Sequence, residues 1–259
     1  MLFPIGDDNQ GRLTTPIVVY VLIAINAVVF FVQLGSDKFT LAYSVVPFKI
    51  THNVRVVPPG HGALPPGAEE DPRVASGLVP VRGVPQEPAP SVIWLTIFSS
   101  MFMHGGWMHI LGNMLYLWIF GDNVEDNFGH GKFLFFYLTC GIVASLSQIF
   151  VDPNSAVPSL GASGAIAGVL GAYLIMFPKN RVRNLVFLGF IFTTIELPAV
   201  VVLGFWIVIQ IFSQYTATFS HAQGGVAYMA HIGGFASGLV LCLLFRNRTI
   251  RRAPPAFYQ

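Results

Sequence analysis

Charge is scarce in this chain. Only 10% of its 259 residues are Asp, Glu, Lys or Arg, against about 25% in a typical soluble domain. That excludes an ordinary soluble globule, and 54% apolar residues exclude a disordered tail. The charges nearly cancel, 14 Lys and Arg against 12 Asp and Glu, and no basic stripe with interleaved aromatics occurs. Nucleic acid is therefore not expected as a partner. Cysteine is equally rare. Cys140 and Cys242, each inside an apolar run, give neither a disulfide framework nor a metal spacing and read as small apolar fillers. Internal repeats are absent, and the two halves share no interrupted segments of the kind that marks secondary transporters.

What is present is a series of long apolar runs: 16–34, 106–120, 133–151, 162–177, 197–213 and 226–245. A bilayer crossing takes about 20 residues, with a range near 17–25. The expectation is an all-α membrane protein, a six-transmembrane-helix bundle over 16–245. A seventh stretch, 184–195 (NLVFLGFIFTTI), is too short to cross and reads as an interfacial or re-entrant connector. The first run follows Asp7, Asp8 and Arg12 without a small-x-small site after it, so it reads as a permanent anchor and not a cleavable signal peptide.

Six crossings place both termini on one side, and basic residues say which. With the termini cytoplasmic, that side holds Arg12, Lys132, Lys179, Arg181, Arg183, Arg246, Arg248, Arg251 and Arg252, while loops 152–161 and 214–225 hold no Lys or Arg. The expected organisation is a cytoplasmic tail at 1–15, the membrane domain, and a basic cytoplasmic tail at 246–259. Loop 35–91 is a long external excursion, Pro- and Gly-rich at 57–90; its His52 and His61 read as solvated.

Polar residues inside lipid are expensive and tend to mark function. His109 and Asn113 are four apart near the start of the second run, hence on one helical face. Ser163 lies in the first turn of the fourth run and His231 in the first turns of the sixth. The second, fourth and sixth helices run in the same direction, so these residues share a depth just below the outer surface. Ser163, Ala167 and Gly171, then Gly164, Gly168 and Ala172, form small-residue stripes on the fourth helix; Ala230, Gly234 and Gly238 form one on the sixth. Such stripes let backbones approach closely enough for a Ser163–His231 hydrogen bond. Asn26, Gln33, Gln148 and Gln210 occur singly and read as interhelical hydrogen-bond formers.

A serine hydroxyl needs an adjacent base to attack a carbonyl, and neutral imidazole suits the task. The resulting oxyanion needs aimed donors. Asn113, His109 and the Ser163 backbone N–H at a helix N-terminus are the candidates. No acidic residue is placed to orient His231, since Asp152 lies ahead of the helix turn and Glu196 falls on the other side; a Ser–His dyad is expected. At about 24 Å the fourth helix is shorter than the roughly 30 Å hydrocarbon core. The loop DPNSAVPSLGA before it should therefore descend and leave Ser163 on the floor of a wet cavity.

The ordered set FMHGGWMHILGNMLYLWIFGDNVED, SLGASGAIAGVLGAY, ELPA with Trp206 and Gln210, and AHIGGFASG resembles the rhomboid intramembrane serine proteases over roughly residues 16–245. The resemblance implies a rhomboid-like six-helix bundle with Ser163 as nucleophile, His231 as base, and His109 and Asn113 lining the oxyanion pocket. It implies that His104 braces the first external loop. It implies single-pass transmembrane protein substrates cut near the outer membrane boundary, no cofactor or ATP, and the bacterial inner membrane as the compartment. Two departures stand out: Ala167 replaces a tyrosine that many members stack on the catalytic imidazole, and Trp94 is followed by Leu95 and Thr96, not by arginine. One rival is a catalytically silent relative that binds and routes membrane proteins. Another is a transporter or histidine metal site built from His104, His109 and His231, which lacks a carboxylate at that depth.

Overall fold

The computed structural model describes residues 2–9, 11–57, 87–188, 191–220 and 226–246. Most of the Pro- and Gly-rich stretch, His61, and the basic residues beyond Arg246 lie outside the described residues. In chain order the elements are β1 (Leu2–Asp7), α1 (Ile17–Leu34), α2 (Asp37–Tyr43), α3 (Pro47–His52) and α4 (Leu95–Ser99). They continue with α5 (Trp107–Phe128), α6 (His130–Val151), α7 (Ser163–Met176), β2 (Arg181–Leu188), β3 (Ile191–Pro198), α8 (Ala199–Ser220) and α9 (Tyr228–Phe245).

The chain is mostly helical, and α1, α6, α8 and α9 are each long and apolar enough to cross a membrane. Helix α5 has 22 residues but carries Asp122, Glu125 and Asp126 in its last two turns. Helix α7 has only 14 residues, about 21 Å at 1.5 Å each. Its residues Gly164–Tyr173 are buried on every face, because it runs through the middle of the bundle between α5, α6 and α9. Outward faces of α1 and α8 expose Val28, Phe31, Phe205 and Phe212.

Close packing follows from the small residues. A Cβ on Gly164 would meet the Ala144 Cβ of α6 at 2.5 Å, and one on Gly234 would meet the Gly164 carbonyl oxygen at 2.0 Å. Helices α7 and α9 thus touch backbone to backbone. Cys140 and Cys242 are free and buried, Cys140 packed against Gly168.

The opposite end of the bundle from Ser163 departs from the all-α expectation. Strands β1, β2 and β3 form an antiparallel sheet in that order. The run read as an interfacial or re-entrant connector is β2 and β3, with Arg181 opposite Pro198 and Leu188 opposite Ile191. Its β-branched and aromatic residues suit a pleated sheet better than a short helix. The partner that stabilises the pair, Leu2–Asp7, is 174 positions away from Arg181 at its near end and is invisible to local pattern.

The same end fastens α1. Pro16 offers no capping side chain, so the free N–H groups at the helix start need acceptors. Glu125, fully buried, accepts from Val18 and Val19 N–H at 2.9 and 2.8 Å. Arg12 Nη1 lies 2.6 Å from Asp122 Oδ2, and Thr14 donates to Asp126. The acidic tail of α5 is therefore a cap for α1.

Candidate active site

Helices α5, α7 and α9 begin at the same end of the bundle, and their first turns surround one cavity of about 1140 Å³. Ser163, His231, His109 and Asn113 all line it. Ser163 Oγ is 2.8 Å from His231 Nε2 across the α7–α9 contact. Ser163 is the first residue of α7, where backbone N–H groups have no intrahelical acceptor.

His109 sits in the first turn of α5. The Gly105 N–H donates to its Nδ1 at 3.2 Å, so the neutral ring carries its proton on Nε2. That nitrogen lies beside Gly161, two residues before the serine. A Cβ on Gly161 would lie 2.9 Å from His109 Nε2 and 3.5 Å from Ser163 Oγ. Gly161 also has φ of 137°, in the left-handed region. The glycine two residues before the serine is required twice over, by backbone conformation and by the approach of the imidazole.

Loop 152–161 walls the cavity and is itself held. Gly161 N–H donates to Ser100 O at 2.9 Å. From the other side the α2–α3 segment docks on it: Val45 and Ser159 exchange hydrogen bonds at 3.1 and 2.8 Å, and Phe48 N–H donates to Ser155 O. Pro47 reaches the cavity lining. Two buried polar atoms at the cavity have no hydrogen-bond partner among the described residues: Asn113 Nδ2, a donor that suits water or a bound carbonyl, and Gln148 Oε1, an acceptor that suits water or a bound N–H.

Sequence reasoning missed what holds His231. Its Nδ1 lies 2.8 Å from Gln210 Oε1 of α8. The Trp206 ring, one turn earlier on the same helix, lies against the imidazole with centroids 5.8 Å apart and planes at 37°. Trp206 thus supplies the aromatic contact to the imidazole that Ala167 cannot. A tryptophan and a glutamine four apart in an otherwise apolar run were the available signal. Asp152 lines the cavity, but among the described residues no carboxylate meets His231 Nδ1, and Glu196 is with Arg181 and Arg183 on the sheet.

Gln210 meets the interhelical expectation, as does Gln33, whose Nε2 donates to Thr40 Oγ1 of α2 at 3.2 Å; Asn26 and Gln148 differ from it. Asn26 bonds Leu22 O in its own helix, and Gln148 faces the cavity. Gln33 clamps the backbone N–H and carbonyl of His104 at 2.9 and 3.1 Å, tying α1 to the turn before α5. The His104 ring is buried edge-on to His109, with centroids 5.1 Å apart. Among the described residues, no three His, Cys, Asp or Glu side chains gather as metal ligands would.

The fold and site define a class: helical membrane proteins with a half-buried serine–imidazole pair opening to a cavity. Residues 92–248, more than half of the chain, match the Rhomboid domain. The chain belongs to the rhomboid family and is a multi-pass integral membrane protein. It is 34% identical over 145 residues to the rhomboid protease GluP of Bacillus subtilis, covering 56% of this chain and 25% of that protein. It is 30% identical over 151 residues to the mitochondrial rhomboid protein 1 of Saccharomyces cerevisiae, covering 56% and 40%. With the human presenilin-associated rhomboid-like protein, mitochondrial, it shares 31% over 115 residues, covering 44% and 30%. The matched part thus spans well under half the length of each of these relatives.

Proposed function

We propose that this protein is an intramembrane serine endopeptidase that hydrolyses peptide bonds of single-pass transmembrane proteins at or near the outer membrane boundary. The observation that carries the reading is the 2.8 Å contact between Ser163 Oγ and His231 Nε2 at a cavity. As Oγ bonds to the scissile carbonyl carbon, the serine proton passes to His231 Nε2. The oxyanion sits among His109 Nε2–H, Asn113 Nδ2 and the Ser163 N–H. The C–N bond then breaks, and the leaving amine takes the proton from Nε2. Water from the cavity repeats the sequence on the acyl-enzyme and frees Ser163.

Helices α1 and α5–α9 make six crossings, with both termini cytoplasmic and the cavity opening outward. Lys132, Lys179, Arg181 and Arg183, all at the end away from Ser163, support this orientation. The bilayer of the bacterial inner membrane is the working environment, and no cofactor takes part. Purified protein should cleave a reconstituted transmembrane substrate and take up a serine-directed fluorophosphonate. Ser163→Ala and His231→Ala should each lose both while keeping the wild-type melting temperature. A folded wild-type protein that neither cleaves nor labels would instead indicate a catalytically silent member that binds membrane proteins.

A further inference from the structure

We propose that Gln210 is the positioning residue of His231: its side-chain carbonyl accepts the Nδ1–H and so holds the imidazole in the tautomer whose Nε2 lone pair takes the Ser163 proton. The proposal rests on the reading of Ser163 and His231 as nucleophile and base. Its grounds are geometric. The amide nitrogen of Gln210 faces the Trp206 carbonyl at 3.4 Å. A carbonyl only accepts, so that end of the amide must be the NH₂, and the oxygen must face the ring at 2.8 Å. An oxygen there demands a protonated Nδ1. The neutral ring then has its free lone pair on Nε2, 2.8 Å from the serine.

The opposite amide orientation would put donors on Nδ1, move the proton to Nε2 and leave the serine without a base. Gln210 is buried, at 8% exposed. A neutral amide also serves where a carboxylate would be costly, inside an apolar helix. Trp206 fixes the ring plane and Gln210 fixes the proton, and both ride on one face of α8. The base is oriented only while α8 is docked against α9.

The test separates an acceptor from a filler. Full-length protein is prepared as wild type, Gln210→Met and Gln210→Glu, with Gln210→Leu as a second acceptor-free variant and Ser163→Ala as control. Each is measured for kcat and KM on a transmembrane substrate, for the rate of fluorophosphonate labelling, and for melting temperature in detergent. Methionine matches the shape without an acceptor; glutamate keeps an acceptor oxygen but suits lipid worse. In Ser–His–Asp sites a misplaced imidazole proton costs about 10⁴ in kcat, and loss of a neutral acceptor should cost less, about 10–10². The expected activity order is wild type, then Glu, then Met and Leu, with KM within about twofold. The expected stability order places Met at or above wild type and Glu lowest. Activity that follows stability, or Met and Leu variants that label and cleave at wild-type rates, overturns the proposal. Ser163→Ala retaining wild-type labelling and cleavage overturns the reading beneath it as well.

Discussion

A Cβ on Gly238 of α9 would lie 2.0 Å from the carbonyl oxygen of Gly168 on α7. One turn nearer the site, Gly234 stands in the same relation to Gly164, and one further residue along is Ser163. The distance between the hydroxyl and the imidazole is therefore set by glycine-to-glycine contact, not by the reacting residues themselves. Gly238→Val should push the helices apart, lower the melting temperature in detergent and abolish fluorophosphonate labelling. Overpacking of this kind costs about 1–3 kcal/mol or more, roughly 2–4 °C per kcal/mol in a chain of this size. Gly204→Ala on α8, where nothing lies within 4 Å of the new methyl, is the control and should change neither measurement.

Asn113 Nδ2 is buried at the cavity without a partner among the described residues. A donor that waits for charge developing in the transition state should affect kcat and not KM. Asn113→Ala is expected to lower kcat by about 10²–10³ and leave KM within about threefold. Steady-state cleavage of a transmembrane substrate measures both. An unchanged kcat would remove Asn113 from the oxyanion pocket.

The docked segment at Val45 holds the loop that leads to Ser163. Val45→Pro deletes the donor to Ser159 O while the extended backbone at Ser44 tolerates a following proline. One buried hydrogen bond is lost, about 1–2 kcal/mol. Limited proteolysis with mass spectrometry should show faster cutting within 153–158, whereas Val45→Ile should match wild type.

At the far end, burial pushes the Asp7 carboxyl up to about 7, further raised by Asp122 and Asp8, against the hydrogen bonds from Tyr173 and Asn123 that pull it down. In the unfolded chain it titrates near 3.8. The folded state therefore keeps a proton that the unfolded state has lost, and the associated stability is full below about 4 and gone as pH rises through 7. Asp7→Asn keeps an acceptor for Tyr173 without the charge. Melting curves should show it raising stability more at pH 8 than at pH 5; a larger gain at pH 5 would contradict the assignment.

Much of the candidate site's geometry was legible beforehand. His109 and Asn113 one turn apart, Ser163 opening a short helix and His231 opening another could be read from spacing and from the rule that polar groups in lipid need a reason. Helix ends agree closely at 16–34, 162–177 and 226–245, which became Ile17–Leu34, Ser163–Met176 and Tyr228–Phe245, whereas the helices begun at 106–120 and 197–213 continue to Phe128 and Ser220. Gln210 was visible as a lone polar residue, but nothing local distinguishes a glutamine that bonds a neighbouring helix from one that orients a base. The sheet was misjudged because β2 and β3 are stabilised by the distant strand Leu2–Asp7, and strand pairing carries no fixed sequence separation.

By itself, then, the order of residues determined which segments are helical, which face of each is apolar, and at what height along it a reactive side chain sits, because helix rise and periodicity convert position directly into depth and direction. Tertiary structure alone decided which groups meet: Gln210 with His231, Val45 with Ser159, Leu2–Asp7 with Arg181–Leu188. Contact depends on how helices rotate and pack against one another, and that is settled by the whole set of facing surfaces at once.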